Sequence, residues 1–179
     1  MGKNKMIKLI DILKELNIQT KPELGSGISF TAYPSKIDPS KVIKTTNYDE
    51  PEKIQDHAYM FMKYPKYFPK VHKVTDKYLV IEKLNTKPII EYYNKLEPFS
   101  PYPDVFRNIP SYDPKKFDPE NYLDVAIKQH PELLEMTLKL KKLYEDVDSI
   151  LEKERYDELD FHSENIGVDD KGNIKMLDF

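Results

Sequence analysis

Near the end of this 179-residue chain, the run Leu159-Asp160-Phe161-His162-Ser163-Glu164-Asn165 is followed by Leu177-Asp178-Phe179. Asp160 and Asn165 are five positions apart, and Asp178 lies thirteen beyond Asn165. A loop that offers one carboxylate to a hydroxyl, and then an amide and a second carboxylate to Mg²⁺, needs hard oxygen donors on a rigid hairpin. The Asp169-Asp170-Lys171-Gly172 turn, set between two short apolar runs, supplies such a hairpin. Far upstream, Gly25 and Gly27 flank Ser26. Glycines so placed let backbone N–H groups approach phosphate oxygens with no Cβ in the way.

The elements that must position these groups follow from periodicity. Met6, Ile7, Leu9, Ile10, Leu13 and Leu16 fall at helical spacing and predict an opening helix within 1–20. Short β-branched and aromatic runs, broken by Gly, Pro and Asp, predict strands over 28–33, 41–45, 71–74 and 78–84. A helix over 51–64, carrying Ile54, Ala58, Phe61 and Met62, is inserted among them. Six prolines between 97 and 121, with Tyr102, Phe106, Tyr112 and Phe117, predict an aromatic-anchored loop that wraps the surface. Leucines from Leu133 to Leu151 then predict a long amphipathic helix over 131–153, with Pro131 as its first residue. Strands over 165–168 and 174–179 close the chain.

Composition narrows the function classes. Charged residues make up 33% of the chain and hydrophobic ones 39%, which places it among globular proteins. With a formal net charge of −3 there is no basic field, so nucleic acid is not the expected partner. No run is long and apolar enough to cross a bilayer, so no membrane partner is expected either. The absence of cysteine excludes disulfides, thiolate metal sites and a cysteine nucleophile. Charges at Lys8, Asp11, Lys14 and Glu15 interrupt any signal-peptide core, and Met6 breaks the myristoylation pattern, so a cytoplasmic location is expected.

The intervals between Asp160, Asn165 and Asp178 resemble those of the protein-kinase-like superfamily. Three upstream segments match it in order. Leu24-Gly25-Ser26-Gly27-Ile28-Ser29-Phe30 is similar to the glycine-rich loop over ATP, with Phe30 in place of the third glycine. Lys41-Val42-Ile43-Lys44 resembles the strand whose lysine holds the α- and β-phosphates. Tyr78-Leu79-Val80-Ile81-Glu82-Lys83-Leu84 looks like the strand leading into the hinge. Within the catalytic loop, Glu158 and Leu159 stand where protein kinases carry His and Arg. His162 stands two residues after the Asp, as in many members of the aminoglycoside and choline kinase branch.

The resemblance implies an α+β, bilobal kinase-like fold: an antiparallel-sheet N-lobe over 21–84, then a hinge and a reduced, mostly helical C-lobe over 85–179. It implies ATP and Mg²⁺ as cofactors. Asp160 is the catalytic base, Lys44 the phosphate-binding cation, and Asn165 and Asp178 the metal ligands. His162 either orients Asp160 or touches the γ-phosphate. Gly25, Ser26 and Gly27 cover the phosphates, adenine is read by backbone groups near Glu82 and Leu84, and Ile81 sits at the back of its pocket. The partner of Lys44 is Glu52, Asp56 or His57. The function implied is transfer of the γ-phosphate to a hydroxyl of a small molecule or a protein; the alternative is a pseudokinase or non-catalytic nucleotide-binding module. Because the sequence stops at Phe179, one residue past Asp178, the resemblance implies either a minimal kinase or one whose C-lobe is covered by a partner or a second copy.

Overall fold

The computed structural model describes residues 24–26, 30–46, 50–102, 106, 108–156 and 159–179. The expected opening helix and Gly27 lie outside them. The chain divides into two compact units on either side of the Lys83–Leu84 peptide bond.

The first unit holds an antiparallel five-stranded sheet of order β1-β2-β3-β5-β4. Its strands are β1 (Gly25–Ser26), β2 (Phe30–Pro34), β3 (Lys41–Thr46), β4 (Val71–Val74) and β5 (Tyr78–Glu82). The register sets Lys44 opposite both Ala32 and Leu79, and Val42 opposite Ile81. Directly opposed residues share a sheet face, so Phe30, Val42, Lys44, Leu79 and Ile81 lie together. Against them packs α1 (Pro51–Lys63), whose buried Ile54, His57, Ala58 and Phe61 recur at helical spacing. Pro51, with its preset φ, starts this helix. Met62, expected inside, is 59% exposed because it falls off that stripe.

The second unit is mostly helical: α2 (Lys87–Leu96), α3 (Tyr122–Gln129) and α4 (Leu133–Glu154), followed by the hairpin β6 (Ile166–Val168) and β7 (Ile174–Met176). The protein is thus α+β, with the antiparallel sheet first and the helices after it. Periodicity does not reveal α2 and α3, since their ten and eight residues give only three and four buried positions. The helix expected over 131–153 begins instead at Leu133. Pro131 sits in the preceding turn, where its carbonyl accepts from the Leu134 N–H at 3.2 Å. Leu133, Thr137, Leu140, Leu143, Val147 and Leu151 form its buried stripe, and Arg155 ends it in a left-handed conformation with φ of 63°.

The proline-rich segment opens with a 3₁₀ turn at Glu97–Phe99. Two of its four expected aromatic anchors are buried, Phe106 and Tyr112, joined by Ile109, while Tyr102 and Phe117 are exposed. The Lys141 Nζ donates to the Pro110 carbonyl at 2.6 Å, which fastens this segment to α4. Within the same unit the stripe meets α2, where the Tyr92 hydroxyl lies 2.7 Å from Thr137 Oγ1.

Candidate active site

The hairpin fixes the geometry of the loop before it. β6 and β7 pair Ile166 with Met176 and Val168 with Ile174, and one step further the Leu177 N–H donates to the Asn165 carbonyl at 2.7 Å. Asp178 therefore follows directly on the residue bonded to Asn165. Its Oδ1 accepts the Phe179 N–H at 3.1 Å.

On the other side, the Asn165 side chain reaches back to Asp160. Its Nδ2 donates to the Asp160 carbonyl at 3.1 Å and to Asp160 Oδ2 at 3.0 Å. Both partners are acceptors, so the amide nitrogen must face them and the amide oxygen must face away. Among the described residues, Asn165 Oδ1 and Asp160 Oδ1 accept no hydrogen bond. His162 also meets Asp160 Oδ2, with Nε2 at 3.2 Å, while its Nδ1 lies 3.3 Å from the Glu164 amide nitrogen. His162 caps the short 3₁₀ turn Ser163–Asn165, so this hydrogen bonding also shapes the loop. The loop is anchored by Phe161, between Asp160 and His162, whose ring meets Tyr144 of α4 edge-on at 5.2 Å and Phe106 at 6.0 Å.

Asn165 Oδ1 and the Asp178 carboxylate are the kind of hard donors Mg²⁺ takes, with water and phosphate oxygens completing its six positions. Among the described residues no cluster of three or more His, Cys, Asp or Glu side chains could hold a metal ion. Asn165 and Asp178 offer two such donors, and a phosphate ligand would supply others.

In the first unit, Lys44 is 5% exposed, and its Nζ lies 4.4 Å from the Phe30 ring centroid and 5.9 Å from that of Phe61. Over ring faces the ammonium is held by the aromatic quadrupoles. Of the three partners considered for it, Glu52 and Asp56 are exposed. His57 is buried in the same aromatic group, 4.3 Å from the Phe30 ring and 5.7 Å from that of Phe61. Gly25 and Ser26 pair with Ala32 and Thr31 as an edge strand. Ile81 is core, 2% exposed between β3 and β4. The Glu82 N–H donates to the Lys70 carbonyl at 2.8 Å and is therefore taken. By contrast, Leu84, 6% exposed at the start of the second unit, has no backbone hydrogen bond among the described residues. Among the described residues, its N–H and carbonyl are thus the unpaired ones of the two positions expected to read adenine.

No protein-family model matches the chain. No curated protein matches it either. The chain is similar to two solved aminoglycoside phosphotransferases. One is APH(2'')-IIa in a ternary complex with streptomycin and ATP, at 13% identity and a TM-score of 0.36, covering 99% of this chain and 70% of that one. The other is ADP-bound APH(2'')-Ib, at 15% identity with the same TM-score and coverage. A TM-score of 0.36 decides neither fold nor function, so the functional reading stands on the side-chain geometry.

Three supports of the site escaped the sequence argument. Asp169 and Lys175, both at least nine-tenths buried, form an ion pair of 3.3 Å across the hairpin. Burial is the largest influence on Asp169 and pushes its carboxyl upward. Hydrogen bonds from Asn173, Lys171 and Lys175 outweigh it and hold the group below the usual carboxylate range. Gly167 packs so closely on Leu84 that a Cβ there would sit 2.6 Å from the Leu84 Cβ. Beside it, Asn85 and Val168 exchange two backbone bonds of 2.8 and 2.9 Å, tying the start of the second unit to β6. A lone glycine within a short apolar strand was the available signal for that approach. Phe161 had no signal at all, since one aromatic in a loop is compatible with either exposure or anchoring.

Proposed function

We propose that the protein is an ATP- and Mg²⁺-dependent phosphotransferase acting on a hydroxyl acceptor. The observation that carries this reading is the Asn165 amide, whose nitrogen is locked to Asp160 so that one oxygen of each side chain stays open. In phosphoryl transfer one such oxygen takes the acceptor's proton and the other holds the metal.

In this reading the acceptor oxygen attacks the γ-phosphorus of ATP. A new P–O bond forms, the bond to the β,γ-bridging oxygen breaks, and ADP leaves. The proton of the acceptor hydroxyl passes to the Asp160 carboxylate. Asn165 and Asp178 would hold Mg²⁺, which neutralises phosphate charge when bound. Lys44 would meet the phosphates once its ammonium leaves the Phe30 ring, and Leu84 would read the adenine with its backbone.

One observation favours a second reading. Phe30, which stands where the resemblance expects a third glycine, sets its ring 4.4 Å from the Lys44 ammonium, as suits a pseudokinase or non-catalytic nucleotide-binding module. The test that separates the two is transfer from labelled ATP, with wild type and Asp160→Asn compared at equal protein. Phosphotransfer is expected from the wild type and a loss of about a hundredfold or more in the variant, with nucleotide affinity retained. No transfer by wild type to any hydroxyl tried, or equal transfer by both, defeats the phosphotransferase.

A further inference from the structure

Two contacts of His162 bear on which ring nitrogen carries its proton. The partner of Nδ1 is the Glu164 backbone N–H, a group that can only donate, at 3.3 Å. The Nδ1 atom must therefore present its lone pair. The partner of Nε2 is Asp160 Oδ2, a carboxylate oxygen that accepts, at 3.2 Å. The Nε2 atom must then carry the hydrogen. A proton on Nδ1 instead would set two N–H groups against each other and leave a lone pair facing a carboxylate.

The same carboxylate oxygen also receives the Asn165 amide at 3.0 Å. Its lone pairs are thus both engaged, one by a side chain fixed through the 3₁₀ turn and one by a side chain fixed through the hairpin. Asp160 Oδ1 has no partner among the described residues, and the side chain is 67% exposed.

We propose that His162 is a positioning residue, locked by the Glu164 amide in the Nε2–H tautomer. With Asn165 it divides the Asp160 carboxylate into an engaged oxygen, Oδ2, and one oxygen, Oδ1, that takes the acceptor's proton. This rests on the phosphotransferase reading for its last step, and on hydrogen-bond geometry alone for the tautomer. Of the two roles weighed for His162, contact with the γ-phosphate and orientation of Asp160, the geometry points to the second. An Nε2–H already donating to Asp160 leaves the ring no other polar hydrogen to offer a phosphate. Two donors on one oxygen also hold the carboxylate plane, so a hydroxyl reaches Oδ1 without a rotamer search.

Two measurements on the full chain test this. In the first, two-bond ¹H–¹⁵N spectra of ¹⁵N-labelled protein read the tautomer of His162, assigned by its loss in His162→Gln. The Nε2–H pattern is expected in the wild type and, because the Glu164 amide still faces Nδ1, in Asp160→Ala as well; an Nδ1–H or mixed pattern in either protein overturns the proposal.

The second compares three variants by steady-state kinetics, with circular dichroism confirming that each is folded. His162→Gln keeps an amide nitrogen near the place of Nε2, His162→Asn keeps an acceptor near Nδ1, and His162→Leu keeps neither. Expected are a fall in kcat of roughly tenfold for Leu and for Asn, ATP KM within about twofold, and recovery in Gln. Recovery in Asn and not in Gln would show that only the turn matters, and would overturn the assignment. An absence of transfer by the wild type defeats the phosphotransferase reading, while the spectra still decide the tautomer.

Discussion

Asp178 follows the residue bonded to Asn165, so removing its carboxylate takes one of two hard donors from the place where Mg²⁺ would bind. In Asp178→Ala the Mg²⁺-dependent stabilisation by ATP should vanish. In wild type it should reach about 2.7 kcal/mol at roughly 100 times Kd, read as a thermal shift with and without Mg²⁺. Equal shifts in the two proteins would contradict the assignment. The second unit offers a test of packing at the same scale. The buried Tyr92 hydroxyl and Thr137 Oγ1 are 2.7 Å apart, and burial pushes the Tyr92 phenol well above its ordinary value. Thr137→Val keeps the shape but strands that hydroxyl, at an expected cost of about 1 to 2 kcal/mol in denaturant unfolding.

The hairpin β6–β7 is the element on which the site depends, and its ion pair gives it an acid limit. Because the Asp169 carboxyl is held below its ordinary value of 3.8, its contribution is complete above that value and is lost as pH falls through the lowered one. Acid titration followed by circular dichroism should show wild type losing stability below about pH 4. Asp169→Asn should lose less over that window, because the variant has no carboxylate left to protonate. The same hairpin touches Leu84 through Gly167, where a Cβ would meet a rigid atom, the Leu84 Cβ. Gly167→Ala should cost about 1 to 3 kcal/mol and weaken ATP binding through the displaced Leu84 backbone. Unchanged stability in that variant would show that the approach is not tight.

Each unit has its own buried set: Ile54, Phe61, Leu79 and Ile81 in the first, and Tyr92, Phe106, Leu140 and Val147 in the second. Backbone amides exchange slowly where burial and hydrogen bonding coincide, so two separate protected foci are expected, one in β3 and β5 and one in α4. Amide exchange read by mass spectrometry checks this. Protection confined to one unit would show that the other has no persistent core. Among the described residues, trypsin should cut after Lys115 and Lys116, which lie in an exposed stretch. Among the described residues no helix is long and apolar enough to cross a membrane.

Much of this was legible in the sequence because local chemistry decides it. Runs of β-branched residues set β3 and β5, a stripe of apolar residues after Pro51 set α1, and an Asp-rich turn with Gly172 set the hairpin. The five-residue interval from Asp160 to Asn165 is spanned by one 3₁₀ turn, so their meeting also follows from short-range geometry. Other features depend on how distant segments meet, and no local pattern encodes that. The rotation of α1 on the sheet turned His57 toward the rings around Lys44 and left Glu52 and Asp56 in solvent. Docking of the proline-rich segment buried Phe106 and Tyr112 but left Phe117 exposed, although all three are aromatic residues in similar company. The sequence could name the groups able to do chemistry. Only tertiary packing, in which distant segments meet, decided how the loop that carries them is anchored, with the Phe161 ring set against Tyr144 and Phe106.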